Sequence, residues 1–212
     1  MTFTGLKIVI TANGEGSRMR GISPRAKHLL YYGGKRICEA IRDAFSAYGP
    51  VYILTHYEFP YEGMEWIKCE PTKTRKETLK ALRGWENVLI VDCDIIPLGI
   101  TPELMRYVME SAADCIWSFQ SDNPKYGGLA MDESGRLTYA KEHDAGATLR
   151  ASGAYFLKDV SATLDKMEDP NGLAAAMIGA ALIQENTFVR IGDVEDYLNA
   201  ITSDSTRNKK NT

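Results

Sequence analysis

Short apolar runs alternate with helix-forming stretches along this chain, and that alternation limits the fold more than any other feature. The runs at 7–10, 51–55 and 87–91 are rich in Val, Ile and Leu. They lack polar alternation, as strands buried on both faces do. Between the first two runs, Ile37, Ile41, Ala44 and Phe45 fall on one face of a helix predicted over 36–48. The pattern predicts an α/β fold with a mainly parallel sheet.

The rest of the chain continues the alternation. Thr101 predicts the N-cap of a helix over 102–113. A turn at 132–135 predicts a hairpin of strands 128–131 and 136–140. Further strands are predicted at 114–119 and 152–157, and further helices at 77–82, 174–182 and 194–201. We expect one domain over 1–202 and a flexible polar tail over 203–212.

Composition excludes several classes of function. The net charge of −3 over 212 residues argues against a general nucleic-acid or anionic-membrane surface. No apolar run approaches the roughly 20 residues that span a bilayer. The N-terminus lacks a secretory pattern, so a cytoplasmic protein is expected. The four cysteines and three histidines are scattered without zinc-site spacing, which favours small buried thiols in a reducing compartment.

A glycine-rich loop that leads into a basic run follows the first predicted strand. It begins with seven residues that could cradle a phosphate: Ala12, Asn13, Gly14, Glu15, Gly16, Ser17 and Arg18. Glycines expose backbone N–H groups to a ligand, and Arg18 and Lys27 add positive charge nearby. A strand-to-helix turn with a solvated basic edge explains the same residues, so the loop alone leaves both interpretations open.

An acidic pair, Asp92 and Asp94, follows the buried run at 87–91. Ligands of open α/β sheets bind at the carboxyl ends of the strands. Two carboxylates one residue apart point to the same side of a strand and can share a cation. Mg²⁺ suits a phosphate substrate, because it needs only one or two carboxylates besides phosphate oxygens. The alternative is that one aspartate caps the following turn.

Together these motifs resemble the sugar-phosphate nucleotidyltransferase family. Its opening pattern A-G-G-x-G-T-R-L stands here as ANGEGSRM at 12–19, and P-K-x-L-L-P-V-x-G-K-P as AKHLLYYGGKR at 26–36. The family's later motifs follow in order: G-D at 93–94, Y-G at 126–127, D-x-x-G at 132–135, E-K at 142–143, G-x-Y at 153–155 and I-G-T-x-E-D-Y at 191–197. The resemblance implies a Rossmann-like three-layer fold of the nucleotide-diphospho-sugar transferase type, with a mixed, mainly parallel central sheet.

The resemblance also implies a reaction and its residues. A sugar 1-phosphate would attack the α-phosphate of an NTP and release pyrophosphate. Arg18 would grip the triphosphate beside the loop amides, Lys27 would align the two phosphates, and Asp94 would hold Mg²⁺. The sugar pocket would be lined by Gly127, Glu142, His143 and Gly153. The sequence identifies neither the base nor the sugar, and it leaves a homo-oligomer open.

Departures from the family pattern are most serious at the residues that would bind the metal and the sugar 1-phosphate, which is the acceptor in this reaction. Asn13 replaces a glycine and Ala26 a proline, and one residue is missing between Arg18 and Lys27. His143 replaces the lysine that binds the sugar phosphate, and the second metal aspartate falls at Arg190. Arg190 could itself replace the cation's charge, or catalysis could be weakened. We expect instead a compensating carboxylate, from Asp193 or Asp92.

Three other functions fit parts of the pattern. A glycosyltransferase of related fold would use residues 92–94 as a DxD metal motif, although such enzymes lack the loop with Arg18 and Lys27. Nucleotidyltransferases for phosphocholine or for molybdenum cofactor share the loop and the lysine. Arg190 and His143 also suit a nucleotide-binding module that has lost turnover.

Overall fold

The computed structural model describes residues 3–14, 26–141, 143–184 and 188–208. Its strands are β1 (Lys7–Thr11), β2 (Tyr31–Tyr32), β3 (Lys35–Arg36), β4 (Val51–Thr55), β5 (Glu65–Lys68), β6 (Glu86–Asp92), β7 (Ile95–Pro97), β8 (Cys115–Gln120), β9 (Gly128–Met131), β10 (Leu137–Lys141), β11 (Leu149–Asp159), β12 (Ala181–Gln184) and β13 (Phe188–Arg190). Its helices are α1 (Ile37–Phe45), α2 (Arg75–Leu79), α3 (Pro102–Glu110), α4 (Val160–Lys166) and α5 (Val194–Asn208).

The three apolar runs form neighbouring parallel strands at the centre of the main sheet. β1 lies between β4 and β6 and is parallel to both, and β5 continues the parallel order beyond β4. On the other side of β6, β11 runs antiparallel and pairs with both β8 and β9. The sheet is therefore mixed with a parallel centre, as the sequence predicted.

Side chains of the central strands alternate between two hydrophobic cores. Ile8 and Ile10 of β1 face one core together with the buried residues of α1 and α3. Val9 faces the other core, with Leu79 of α2 and Leu164 of α4. Because successive strand residues point to opposite faces, each apolar run supplies both cores. This arrangement gives three layers and leaves the carboxyl ends of β1 and β6 open at one edge.

Two sequence predictions of helices need correction. No α-helix forms over 174–182: a single 3-10 turn, Ala175–Met177, is followed by β12, which pairs in parallel with β8. Gly179 lies between them at φ +91°. Pairing with an available sheet edge outweighs the helix propensity of the alanines. The helix predicted at 77–82 begins earlier, at Arg75, after Thr74 caps it with Glu77 in a capping box, and it tightens into a 3-10 turn at Lys80–Leu82.

Other boundaries shift without changing the order of elements. α3 begins after Thr101, which accepts a hydrogen bond from the Leu104 N–H as predicted, but it ends at Glu110. β11 is longer than the predicted strand at 152–157, and α5 extends past the predicted end at 201 to Asn208. Among the described residues, no helix combines the length and the apolar character that crossing a membrane requires.

Candidate active site

Two cavities open at the carboxyl edge of β1 and β6. The first, with a volume of about 360 Å³, lies beside Thr11–Gly14 and the segment 72–75; we call it the loop-side cavity. The second, of about 540 Å³, lies beside the bulge of β11; we call it the bulge-side cavity. The described residues that line both are Arg75, Asp92, Asp94 and Asn171. These shared residues form the seam between two compartments of one cleft.

Asn13 anchors the loop-side cavity. Its side chain is buried and donates hydrogen bonds to the Glu70 carbonyl at 2.9 Å and to the Thr72 hydroxyl at 2.7 Å. Its Oδ1 accepts from the His56 N–H at 3.1 Å and lies 2.6 Å from the His56 ring. Asn13 therefore ties the end of β1 to the segment that forms the opposite wall. Ala12 is buried beside it and Gly14 is exposed, whereas the predicted loop residues Glu15, Gly16, Ser17 and Arg18 lie outside the described residues.

Lys27 reaches the seam from a 3-10 turn, Lys27–Leu29. Its ammonium donates to the Gly192 carbonyl at 2.9 Å and lies 3.4 Å from Oδ2 of Asp94. The next residue, His28, is buried against Tyr61, whose hydroxyl is 3.0 Å from Nε2. Burial, helped by nearby His56, lowers the pKa of His28 to about 4, so the histidine is neutral at physiological pH. The turn that carries Lys27 is thus fixed by a neutral buried contact.

Asp94 lies in the turn directly after β6, between Lys27 and the far side of the cleft. Burial by itself raises the pKa of Asp94, but Lys27, Arg190 and Arg75 together bring it below its ordinary value. The carboxylate is therefore ionised at neutral pH. Its Oδ1 is buried and has no hydrogen-bond partner among the described residues. A buried carboxylate oxygen without a partner is costly unless a cation or water satisfies it.

Asp92, the other predicted carboxylate, is more fully engaged. Oδ1 accepts a hydrogen bond from Thr11 at 2.9 Å, and Oδ2 forms a 2.7 Å ion pair with Arg75. Arg75 loses solvation on burial, but Asp92 raises its pKa above the ordinary value. From the sequence, the basic stretch of Lys73, Arg75 and Lys76 could either contact phosphate or form a solvated helix start. The capping box of Thr74 and Glu77 marks the helix start that positions Arg75.

Gly153 lies directly behind Asp92, in the bulge of β11 between Ala151 and Tyr155. Its φ of +101° is in the region that favours glycine. A Cβ at this position would lie 3.0 Å from Oδ2 and 3.2 Å from Cβ of Asp92. The bulge thus brings the β11 backbone close to the seam, and the predicted sugar-binding residues Gly127 and His143 line the same bulge-side cavity. Glu142 lies outside the described residues.

Asp193 lies on the far wall of the bulge-side cavity. Its Oδ1 accepts a hydrogen bond from the Asp196 N–H at 2.9 Å, which caps the start of α5. Its Oδ2 lies 2.9 Å from the ammonium of Lys125, which is also 2.8 Å from Asp196. Burial opposes the charge on Lys125, but the two carboxylates raise its pKa. Asp193 is therefore committed to Lys125 and to the helix cap.

Arg190 is brought beside Asp94 by a two-stranded ribbon in which it faces Ile95 of β7. Its Nη1 donates to the carbonyls of Ala151 and Ser152 at 3.0 and 2.7 Å, and its guanidinium lies 4.2 Å from the ring centroid of Tyr126. The sequence identified this position as a departure, but only the pairing of two three-residue strands places it at the seam.

The donor set of the seam fits a magnesium ion that arrives with a phosphate substrate. No group of three or more His, Cys, Asp or Glu side chains in the described part of the chain is arranged to hold a metal alone. Mg²⁺ commonly uses one or two carboxylates and takes its remaining oxygens from water and phosphates. The unpartnered Oδ1 of Asp94 suits that role. Assignment of the metal to Asp94, Asp92 and Asp193 stays a prediction.

Comparison with known proteins gives a family model and one curated relative. The model that describes MobA-like NTP transferase domains matches residues 8–167. The bifunctional protein GlmU of Methylobacillus flagellatus is 27% identical over 155 residues. That match covers 67% of this chain but 33% of the relative, so the chain spans about a third of the relative's length.

Two solved structures have a similar fold. The nucleoside-diphosphate-sugar pyrophosphorylase from Vibrio cholerae RC9 superposes with a TM-score of 0.69 and 15% identity, over 92% of this chain and 99% of that one. A putative glucose-1-phosphate thymidylyltransferase from Bacillus anthracis, in complex with sucrose, gives 0.71 and 14%, over 94% and 95%. These likenesses confirm the predicted fold class.

Proposed function

Because the chain belongs to the family of MobA-like NTP transferase domains, we propose that it joins an NTP to a sugar 1-phosphate and forms an NDP-sugar and pyrophosphate, with Mg²⁺. Membership confirms the resemblance to nucleotidyltransferases that the sequence motifs predicted. The names of the relatives support a sugar phosphate as the acceptor. The single observation that carries the proposal is the cleft itself, in which the two cavities meet at Asp94 and the Lys27 ammonium lies 3.4 Å from that carboxylate.

In this reaction, a phosphate oxygen of the acceptor attacks the α-phosphorus of the NTP. The bond between the α-phosphorus and the bridging oxygen breaks, and pyrophosphate leaves with that electron pair. The attacking oxygen is already anionic, so no general base is needed. What the protein supplies is alignment and opposite charge. The shared seam suits this chemistry, since both substrates must reach the same point from opposite sides.

Each side of the cleft then has its own substrate. The NTP would occupy the loop-side cavity along residues 12–18, with Arg18 on the triphosphate. The acceptor would occupy the bulge-side cavity beside Gly127, Glu142, His143 and Gly153. Lys27 would neutralise charge between the two phosphates. Asp94 would hold Mg²⁺, which would withdraw electron density from the α-phosphate, whereas the oxygens of Asp92 and Asp193 already have protein partners.

A second candidate is transfer to a phosphate that is not a sugar phosphate. The family is that of MobA-like domains and not of sugar enzymes, which favours an acceptor of the molybdenum-cofactor type as the alternative. A DxD-type glycosyltransferase fits less well, because both oxygens of Asp92 are engaged by Thr11 and Arg75.

The test is pyrophosphate release from each NTP with a panel of acceptors and Mg²⁺. The panel contains several sugar 1-phosphates, phosphocholine and inorganic phosphate. We expect release with at least one sugar 1-phosphate and formation of the matching NDP-sugar. Release with phosphocholine alone would replace the sugar assignment, and turnover of a supplied NDP-sugar without pyrophosphate release would indicate a glycosyltransferase. NTP binding with no release from any pair would contradict enzymatic turnover.

A further inference from the structure

The bulge-side cavity contains three described arginine or lysine side chains, and their partners differ. Arg75 has Asp92 at 2.7 Å, and Lys125 has Asp193 and Asp196 at 2.9 and 2.8 Å. Arg190 alone among the three has no carboxylate within ion-pair distance in the described part of the chain, since its hydrogen bonds go to the carbonyls of β11. Carbonyl oxygens orient a guanidinium without forming an ion pair with it.

The orientation of Arg190 is fixed from several directions. β13 pairs with β7, and the Ile191 N–H donates to the Asp94 carbonyl at 2.8 Å, so the backbone next to Arg190 is tied to the seam. The guanidinium lies 4.2 Å from the ring centroid of Tyr126 and 5.8 Å from that of Phe119. Such contacts hold a planar cation in place at a small entropic cost. Its donors are therefore presented in a preset geometry.

Donors of Arg190 are still available for a ligand. Within the described residues only Nη1 is hydrogen-bonded to the protein, and Nε is buried without a partner. A buried N–H that stays unpaired costs free energy, which an incoming acceptor oxygen would recover. Phosphate oxygens match the fork of an arginine side chain better than they match a point-charge ammonium.

We propose that Arg190 binds the phosphate of the acceptor and selects a phosphate monoester for the bulge-side cavity, because it is the cation of that cavity that forms no ion pair among the described residues. This inference rests on the proposed function. It gives Arg190 a role on the acceptor, whereas Lys27 contacts the seam from the loop side. Lys125 then has a structural role in the cavity wall, where it contacts Tyr126 and forms ion pairs with Asp193 and Asp196 at the start of α5.

The test measures phosphate binding without turnover. Inorganic phosphate is titrated into the wild-type protein and into Arg190→Gln and Arg190→Lys, with no Mg²⁺ and no NTP, and binding is followed by phosphorus NMR. Arg190→Gln should weaken phosphate binding about tenfold or more, the usual contribution of a charged hydrogen bond. The phosphate affinity of Arg190→Lys should lie between those of the wild-type protein and Arg190→Gln. In both variants NTP binding, measured by thermal protection, should change less than about twofold.

Arg83→Gln is the matched control, because Arg83 is an exposed arginine paired with Asp165 at 2.6 Å, outside both cavities. It should leave phosphate binding unchanged. A measurement on the wild-type protein covers the case in which both Arg190 variants fail to fold: phosphate should protect Arg190 from phenylglyoxal, as mapped by mass spectrometry, and should not protect Arg83.

Unchanged phosphate binding in a folded Arg190→Gln protein, or equal losses of phosphate and NTP binding, would overturn the inference. A lack of phosphate protection of Arg190 against the reagent would overturn it as well. Failure of the proposed function has a different signature: no pyrophosphate release by the wild-type protein, with selective loss of phosphate binding in Arg190→Gln still present.

Discussion

The loop-side and bulge-side cavities share four residues at the seam, yet their other walls are chemically different. Beyond the seam, the loop-side wall is mostly neutral: Thr11, Asn13, Gly14, Thr72, Thr74 and Thr78, with Lys27 and Lys73 as its described charges. The bulge-side wall carries Lys125, Asp169, Arg190 and Asp193 together with His143. Hydroxyl and amide groups suit the neutral hydrogen-bonding edges of a nucleoside, whereas a wall of opposite charges suits a phosphate.

The two walls are also held together differently. On the loop side, Asn13 bonds to a carbonyl, a hydroxyl and the backbone of His56. On the bulge side, the structure depends on the Lys125 ion pairs and on the stacking of Arg190 against Tyr126. Salt and charge substitutions should therefore act mainly on the acceptor side, and removal of neutral hydrogen bonds on the nucleotide side.

The largest expected effect comes from a substitution at the seam. Because Asp94 lines both cavities, its substitution should affect the reaction of both substrates and not one side of the cleft selectively. Asp94→Asn keeps the shape of the side chain but removes the charge that would hold Mg²⁺. Turnover should fall about a hundredfold to a thousandfold at saturating levels of both substrates, as measured by pyrophosphate release against Mg²⁺ concentration. Asp165→Asn, which alters an exposed ion pair, is the control. An unchanged dependence of turnover on Mg²⁺ concentration in Asp94→Asn would show that the metal binds at other residues.

A second prediction concerns the buried histidine beneath Lys27. The folded protein lowers the pKa of His28 from 6.5 to about 4. As pH falls from 6.5 to 4, the unfolded chain binds the proton first, so the contribution of His28 to stability is complete above pH 6.5 and is lost toward pH 4. The loss amounts to about 3 kcal/mol of unfolding free energy. Urea denaturation across this range measures it.

His28→Phe should flatten the pH dependence, because phenylalanine does not titrate. His143→Gln provides the comparison, since it replaces a histidine at an exposed position and leaves the buried contact with Tyr61 intact. If the slope survives in His28→Phe, acid sensitivity belongs to other groups and the loop side does not depend on a neutral histidine.

How far the sequence predicts this molecule depends on the length of each element. β1, β4 and β6 were predicted because a run of consecutive apolar residues marks a buried strand. Lys27 and Asp94 were both predicted at the site, and the structure brings them to 3.4 Å. The ribbon of β7 and β13 was missed, since three residues carry no periodicity. The placement of Arg190 next to Asp94 depends on that ribbon, so it could not be predicted.

Long-range partners account for the other omissions. Arg75 was visible only as part of a basic stretch, and its pairing with Asp92 follows from packing of α2 against the sheet edge. The alanine-rich stretch at 174–182 has the composition of a helix, but its last residues complete the sheet beside β8. Local propensity was outweighed where an open strand edge offered backbone hydrogen bonds.

A third prediction tests whether the bulge touches the seam. Gly153→Ala adds a Cβ 3.0 Å from Oδ2 of Asp92 in a backbone conformation that strains alanine. The free energy of unfolding should drop by about 2 kcal/mol, and the KM for the acceptor should rise more than the KM for the NTP. Gly135→Ala is a matched control, because Gly135 also has positive φ, +76°, but its added Cβ would meet no atom within 4 Å. Equal effects of the two substitutions would mean that strain alone, not contact with Asp92, explains the loss.

The smallest expected effect on stability comes from a substitution in the wall of the loop-side cavity. Asn13→Ala removes the amide that joins β1 to the segment at 70–72, but Asn13 borders the loop-side cavity, so water can replace some of the lost hydrogen bonds. The free energy of unfolding should fall by only about 1 kcal/mol. The kinetic effect should be selective: the KM for the NTP rises and the KM for the acceptor does not.

Asn13→Asp separates the two functions of this amide. A carboxylate still accepts from the His56 N–H, but it faces the Glu70 carbonyl with an acceptor instead of a donor. Repulsion between these oxygens should make this variant less stable than Asn13→Ala, although it changes fewer atoms. If Asn13→Asp is the more stable of the two, the bond to Glu70 contributes little. A rise in the acceptor KM in either variant would mean that the two sides of the cleft are not independent.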